Sequence, residues 1–197
     1  MTRARAQAPK TGAHHGGSAN ERGHVIVEFA AISMVLVILI FGVIEGGLLF
    51  RSKLALSNST DEAVRRAAVA GNSGDADWQI LQQIVRHSAD DANGVTRVIV
   101  YRADDATSEP IPTCSQGIST SGECNVYDSD DFERPSSDFG ACGPLDGNWC
   151  PTDRDTTRGG DLVGVMIQGR YAPISGVVSA IGLDQRSVLP FEAETGN

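Results

Sequence analysis

Residues 22–50, RGHVIVEFAAISMVLVILIFGVIEGGLLF, contain an apolar run long enough to cross a lipid bilayer. No residue between Phe29 and Ile44 is charged. Roughly 20 apolar residues, at about 1.5 Å per residue in a helix, cross the hydrocarbon core of a membrane. A secretory signal peptide has a shorter apolar region, of about 7 to 15 residues, and ends at a small-residue cleavage site. The stretch therefore predicts a retained transmembrane helix over residues 24–50.

Charge is distributed unevenly on the two sides of this helix. The chain has a formal net charge of −9, which argues against a nucleic-acid partner because neutralising phosphates requires a basic face. Basic residues nevertheless dominate the first 23 positions, and they outnumber Arg51 and Lys53 just beyond the helix. The positive-inside rule then predicts a single-pass protein of the cytoplasmic membrane with a cytoplasmic N-terminus and an extracytoplasmic C-terminal head.

The basic tail, residues 1–23, contains almost no bulky apolar residues and is rich in Gly, Ala and charge. Such a composition cannot bury a core, so we expect a disordered leader.

Two acids interrupt the apolar segment. A carboxylate inside a bilayer costs several kcal/mol unless it is paired, neutral or near the interface, so Glu28 requires either a cationic partner or a position at the headgroups. Glu45 lies near the other end of the run, and it is either an interfacial residue beside Arg51 and Lys53 or a second intramembrane acid with a specific contact.

Gly42 and Gly46 form a G-x-x-x-G pattern in the same helix. In lipid, such a pair lets a second helix approach closely. The pattern is also common by chance, so a helix contact face and two incidental small residues both remain possible.

Beyond the membrane segment, the pattern predicts a small α+β head. Helical spacing continues over residues 51–70, and Asp77 is expected to cap a second helix. The apolar side of that helix consists of Ile80, Leu81, Ile84, Val85 and Ala89. Three stretches rich in β-branched and aromatic residues predict about three strands, at 95–102, 162–173 and 186–194, with Pro190 placing the last strand at an edge. The head is expected to occupy residues 71–197.

A long polar, acidic loop is predicted over residues 103–160, and it holds all four cysteines of the chain, Cys114, Cys124, Cys142 and Cys150. In an oxidising compartment these can form disulfides, with three possible pairings. We prefer the sequence-near pairs, Cys114 with Cys124 and Cys142 with Cys150, because they close short loops. Zinc ligation is the alternative, although the spacings lack a short C-x-x-C hook.

No pattern in the chain indicates catalysis, so we expect a non-enzymatic protein without a cofactor or a resident metal. G-x-S-x-G, Walker-type and H-E-x-x-H motifs are absent from the sequence. The carboxylates of DSDDFERPSSD, residues 128–138, suggest a calcium loop, but the Gly and distal Glu of an EF-hand are missing. A solvated acidic loop is the preferred interpretation.

The sequence around Gly23, RGHVIVEFA, resembles the processing site of type IV prepilins, in which a basic leader ends in Gly and the fifth mature residue is Glu. With His24 as the first mature residue, Glu28 is the fifth. The longer stretch through Gly71 resembles the TadE family of minor pseudopilins from tight-adherence (Flp) pilus systems. Here the Glu-Phe-Ala after the cut, a Gly-x-x-Glu near the helix end and an Ala- and Arg-rich continuation match the family.

This resemblance implies a structural role in pilus assembly. It implies cleavage by a prepilin peptidase between Gly23 and His24, and pairing of the freed amine with Glu28. It also implies partners among other pilins or pseudopilins, the pilus assembly machinery and the lipid bilayer. His24 departs from the hydrophobic first residue of many pilins, which puts its N-methylation in doubt. The alternative is a membrane-tethered extracytoplasmic domain that binds a ligand or a cation.

Overall fold

The computed structural model describes residues 19–88, 94–140, 142–157, 160–176 and 179–192. The chain divides into two compact units, residues 1–43 and 44–197. In its described part, the first unit is helical throughout and belongs to helix α1, Ala19–Ala70. Most of the predicted leader and Ala89, predicted on the apolar side of the second helix, lie outside the described residues.

Helix α1 ends at Ala70, as the continuation of the helical pattern predicted. Gly71 follows with a φ of 56°, a left-handed conformation that glycine adopts without steric cost. Its amide donates to the Ala67 carbonyl at 3.0 Å, which satisfies one of the free carbonyls at the helix end.

The second unit contains a four-stranded antiparallel sheet in the order β2-β1-β3-β4, next to the second part of α1 and a second helix, α2 (Ala76–Ser88). The strands are β1 (Val95–Ala103), β2 (Cys124–Asp128), β3 (Leu162–Tyr171) and β4 (Ile181–Pro190). The α+β class and the three predicted strands are confirmed, and β4 is an edge strand. It nevertheless starts five residues earlier than predicted and ends at Pro190.

Strand β2 was missed because it is only five residues long and lies in a polar stretch. It is defined by pairing with β1, where Tyr101 faces Cys124 and Arg97 faces Asp128. The interval predicted as one long loop also contains the short helix α3 (Pro112–Ser115) and three single-turn 3₁₀ helices, Ser129–Asp131, Ser136–Asp138 and Pro151–Asp153.

The prediction that Asp77 caps α2 is wrong, because the helix already begins at Ala76. Asp75 precedes the helix instead, and its Oδ1 accepts hydrogen bonds from Ser73 and from Gln79 in the first turn. The apolar side of α2 is confirmed over Ile80, Leu81 and Ile84, which are fully buried, whereas Val85 is half-buried.

The two faces of the sheet are covered differently. Because side chains alternate along a strand, Val98 and Val100 of β1 point to one face and Ile99 and Tyr101 to the other. The first face packs against both helices, through Leu56, Ala63, Val64, Ala67, Ala68, Ile80, Leu81 and Ile84. The second face carries a smaller cluster that includes both cysteines of one disulfide, Cys114 and Cys124.

Two disulfides cross-link the chain between β1 and β3. They join Cys114 with Cys124 and Cys142 with Cys150, which is the sequence-near pairing, with Cα separations of 6.3 and 4.9 Å. The first attaches α3 to the start of β2. The second joins cysteines eight positions apart, and the loop between them contains Asp146 and Trp149.

Candidate functional site

The N-terminal part of α1 presents an apolar surface with little cover from the rest of the chain. The exposed large apolar side chains are Val25, Ile26, Val27, Phe29, Ile32, Met34, Val35, Leu36, Val37, Ile38, Leu39, Ile40, Phe41, Val43 and Ile44. Soluble monomers rarely expose contiguous apolar surface of this extent, so lipid or another protein must cover it. By length and composition this helix is able to anchor the protein in a membrane.

The residues of the predicted processing site, Gly23, His24 and Glu28, lie on exposed positions of this helix. At Gly42 and at Gly46, an added Cβ atom would meet nothing within 4 Å. Neither glycine is therefore required by packing within the described chain, which leaves the small-residue positions open to a second helix.

Glu45 is held by the last residue of β3 and by the segment that follows it. The Tyr171 hydroxyl donates to Glu45 Oε1 at 3.0 Å, and the Ile174 amide donates to the same oxygen at 2.9 Å. The Ser175 amide donates to Oε2 at 3.2 Å. Both carboxylate oxygens thus have donors from within the same unit of the chain.

The structure gives Glu45 a specific contact, with Tyr171 and two backbone amides. Sequence reasoning missed the donors because they lie 126 to 130 residues away and two of them are main-chain groups that carry no sequence signal.

A buried polar cluster lies under the disulfide-stapled connection. Arg154 Nη2 is 2.8 Å from Asp77 Oδ1 and donates to Oδ2 at 2.9 Å. The same Oδ2 accepts hydrogen bonds from Tyr127 Oη at 2.6 Å and Asn125 Nδ2 at 2.8 Å. Burial, with the Asp77 carboxylate next to it, raises the pKa of Tyr127 well above its ordinary value, so the phenol stays protonated and donates.

Trp149 and Asp146 complete the surroundings of this cluster. The Arg154 guanidinium lies 4.3 Å from the centroid of the Trp149 ring, a cation–π contact that compensates in part for the lost hydration of the cation. The Trp149 carbonyl accepts from both Arg154 and Asn125. Burial raises the pKa of Asp146, while the Gly140 amide, donating to its Oδ2 at 2.8 Å, acts in the opposite direction. The arrangement links α2, β2 and the loop ending at Arg154.

The acidic stretch 128–138 does not gather its carboxylates around a common point. Asp128 accepts from Arg97 Nε at 2.9 Å, and Asp138 pairs with Arg134 at 3.3 Å. Asp131 Oδ2 accepts from the Asp128 amide at 3.0 Å in a capping box. These carboxylates serve the local fold through donors of the same chain.

Among the described residues, the ligand atoms of one trio of metal-ligand types, Cys142, Cys150 and Asp153, lie within 4.8 Å of one another. Its two cysteines are joined in a disulfide, so they offer no thiolates to an ion.

Part of the chain matches a known protein family. Residues 23–65 match the family model described as TadE-like protein. No curated protein and no solved structure is significantly similar to the chain. The match begins at Gly23 and covers the apolar part of α1 together with its continuation toward the head, which confirms the resemblance seen in the sequence. Over residues 23–65 the chain is thus similar to TadE-like proteins.

Proposed function

We propose that this chain is a minor pseudopilin that acts structurally in the assembly of a tight-adherence pilus. The observation that carries the proposal is the match to the TadE-like family, which begins at Gly23, together with an exposed apolar helix that needs lipid or other helices around it. The helix is inserted in the cytoplasmic membrane with its N-terminus inside, and the head lies outside. The chain works through packing and charge pairing and not as an enzyme.

Processing by a prepilin peptidase after Gly23 is part of this proposal. Cleavage creates a free amine at His24, four residues before Glu28. Within a membrane or a bundle of pilin helices, that amine is the cation that Glu28 requires, from the same subunit or a neighbouring one. The exposed position of Glu28 on α1 is compatible with such an intermolecular pair.

Helix packing supplies the second part of the assembly interface. Gly42 and Gly46 provide open small-residue positions at which the helix of another pilin or pseudopilin, or of the assembly machinery, approaches closely.

The decisive experiment is mass spectrometry of the mature N-terminus of protein recovered from its native membrane. A chain that begins at His24 supports processing and makes Glu28 the partner of the new amine. A chain that retains residues 1–23 rules out this mechanism. Glu28→Gln, compared with Glu62→Gln on the exposed surface of the same helix, then tests pairing: only the first change should reduce recovery of the protein in complexes with other pilus subunits.

The alternative function, a membrane-tethered domain that binds a ligand, is supported by one observation. A polar groove between the two helices is lined by Arg66, Trp78, Gln79, Gln82, Gln83 and Arg86. Its two cationic side chains suit an anionic ligand more than a cation. An uncut N-terminus combined with saturable binding of a carboxylate or phosphate compound, lost in Arg86→Gln, would favour this function over pseudopilin assembly.

A further inference from the structure

We infer that the segment after β3, residues 172–176, contacts the surface of the bilayer that α1 crosses, and that Glu45 holds it there. Residues 172–176 form the Glu45-bound loop. The inference rests on the proposed function only in that α1 must span a membrane. It adds a second membrane contact, made by the head itself.

The position of Glu45 along the helix sets the level of the loop. Residues 25–44, in which Glu28 is the one charged residue, form a helical length of about 30 Å at 1.5 Å per residue, which matches the thickness of a bilayer core. Glu45 is the next residue and the first charged one after this run. It therefore lies where the hydrocarbon gives way to the headgroups.

The hydrogen bonds of Glu45 bring the loop to this level. The Ile174 and Ser175 amides donate to its two carboxylate oxygens at 2.9 and 3.2 Å, and the Tyr171 hydroxyl adds a third bond. Three bonds to one side chain leave little freedom for the loop to move away from the helix at this point. The head is thus attached to α1 at the membrane boundary through a loop and not only through the continuing helix.

The composition of the loop suits the lipid boundary. From Tyr171 to Gly176 no residue is charged, and the Ile174 side chain is 74% exposed. Two main-chain amides, which would be costly to place near hydrocarbon, are satisfied by Glu45. Arg170, exposed at the end of β3, adds a cation of the kind that snorkels toward lipid phosphates.

The bilayer is the occupant that these observations favour over a second protein copy. The loop offers one large exposed apolar side chain, Ile174, which is too small an area for a stable protein interface. This small apolar area is sufficient for contact with the bilayer, because the spanning helix already holds the loop at the membrane interface. The contact therefore costs no further entropy of association.

Fluorescence of an introduced tryptophan tests the inference in the full chain. Ile174→Trp would be reconstituted in vesicles of phosphatidylethanolamine and phosphatidylglycerol, with and without bromine on the acyl chains. The matched control is Val69→Trp, since Val69 is 57% exposed on the same helix and lies 24 residues beyond Glu45, about 36 Å farther along it. The unsubstituted protein, with Trp78 and Trp149, provides the background emission.

We expect the Ile174→Trp emission to shift to the blue, to be quenched by brominated lipid and to be protected from aqueous iodide. The Val69→Trp emission should stay at longer wavelength, resist quenching by brominated lipid and be quenched by aqueous iodide. Iodide quenching of both variants, in protein that resists carbonate extraction, would overturn the inference and leave the pseudopilin proposal intact. Protection in detergent that increases with protein concentration would indicate a second copy and also overturn it. If carbonate extracted the protein, α1 would not span the membrane. This result would overturn both the loop inference and the pseudopilin proposal.

Discussion

Arg154 contacts both carboxylate oxygens of Asp77, at 2.8 and 2.9 Å, although 77 residues separate the two in the chain and neither side chain is exposed. Taking a carboxylate and a guanidinium out of water is costly, and the cost is offset only where further polar groups complete the hydrogen bonding. Asn125 and Tyr127 provide donors to Asp77, and the Trp149 carbonyl and ring serve Arg154. The pair connects α2 to β2 and to the end of the stapled loop.

Replacing Arg154 by Met should destabilise the head by about 3–5 kcal/mol, because the Asp77 carboxylate would remain buried without its cation. The control is Arg102→Met, since the Arg102–Glu123 pair is partly exposed at 3.1 Å and should cost about 0–1 kcal/mol. Urea unfolding of both variants in detergent micelles measures the difference. Equal losses of unfolding free energy would contradict the role given to the buried pair.

Glu45 should control the hydrogen exchange of two specific amides. In Glu45→Ala the Ile174 and Ser175 amides lose their acceptor and should exchange faster. Glu45→Gln keeps one carbonyl oxygen and should give an intermediate rate. Glu62→Ala, on an exposed position of the same helix, serves as the control. Hydrogen–deuterium exchange mass spectrometry on peptides that cover residues 171–176 checks this, and unchanged rates in Glu45→Ala would refute it.

Gly164 is required by the ring of Tyr101, its partner across β1 and β3. A Cβ atom at Gly164 would lie 2.2 Å from Tyr101 Cζ, and the ring is buried. Gly164→Ala should therefore destabilise the head by about 1–3 kcal/mol, the usual range for overpacking. Gly182→Ala is the matched control on β4, because a Cβ there meets nothing within 4 Å. A Tm for Gly164→Ala as high as that of Gly182→Ala would disprove the steric argument.

Acid should destabilise the head through two similar turns, in which an aspartate accepts from a threonine two residues later. Thr107 donates its hydroxyl and amide to Asp105, and Thr157 does the same to Asp155, which lowers the pKa of both carboxyls below the ordinary 3.8. A lowered folded-state pKa stabilises the fold above the unfolded value. That stability is lost as the pH falls below about 3.8 toward the folded values.

The comparison of Asp105→Asn with wild type isolates this effect from Asp146, whose raised pKa acts in the opposite direction. The variant should lose stability near neutral pH and depend less on pH below 4 than wild type does, as measured by thermal unfolding at a series of pH values. Asp104→Asn, which removes a charge at the exposed neighbouring position, is the control for the loss of a surface charge. A slope in Asp105→Asn identical to wild type would argue against the assignment.

Local signals in the sequence account for most of the architecture. The charge-free run ending at Ile44 predicted the apolar helix, and the Ala-rich continuation predicted its extension to Ala70. Alternation and β-branched content predicted β1, β3 and β4, because these strands are long enough to show a period. The family resemblance rests on the same local segment, residues 23–65.

The features that escaped prediction depend on contacts between distant residues. Strand β2 exists because β1 offers it a pairing edge, since its own five residues carry a weak signal. Asp77 looked like a helix cap because an acid near a helix start usually is one, and only the approach of Arg154, 77 residues later, makes it a buried ion-pair partner.

Neighbouring residues were enough to predict a long apolar helix, a TadE-like segment near the N-terminus and an α+β head, because length, hydropathy and period are properties of the local sequence. The partners of Glu45 and the polar groups that meet in the interior became known only from the folded structure. Hydrogen bonds to main-chain amides and ion pairs between remote residues depend on where the folded chain places them, and no pattern along the sequence encodes that placement.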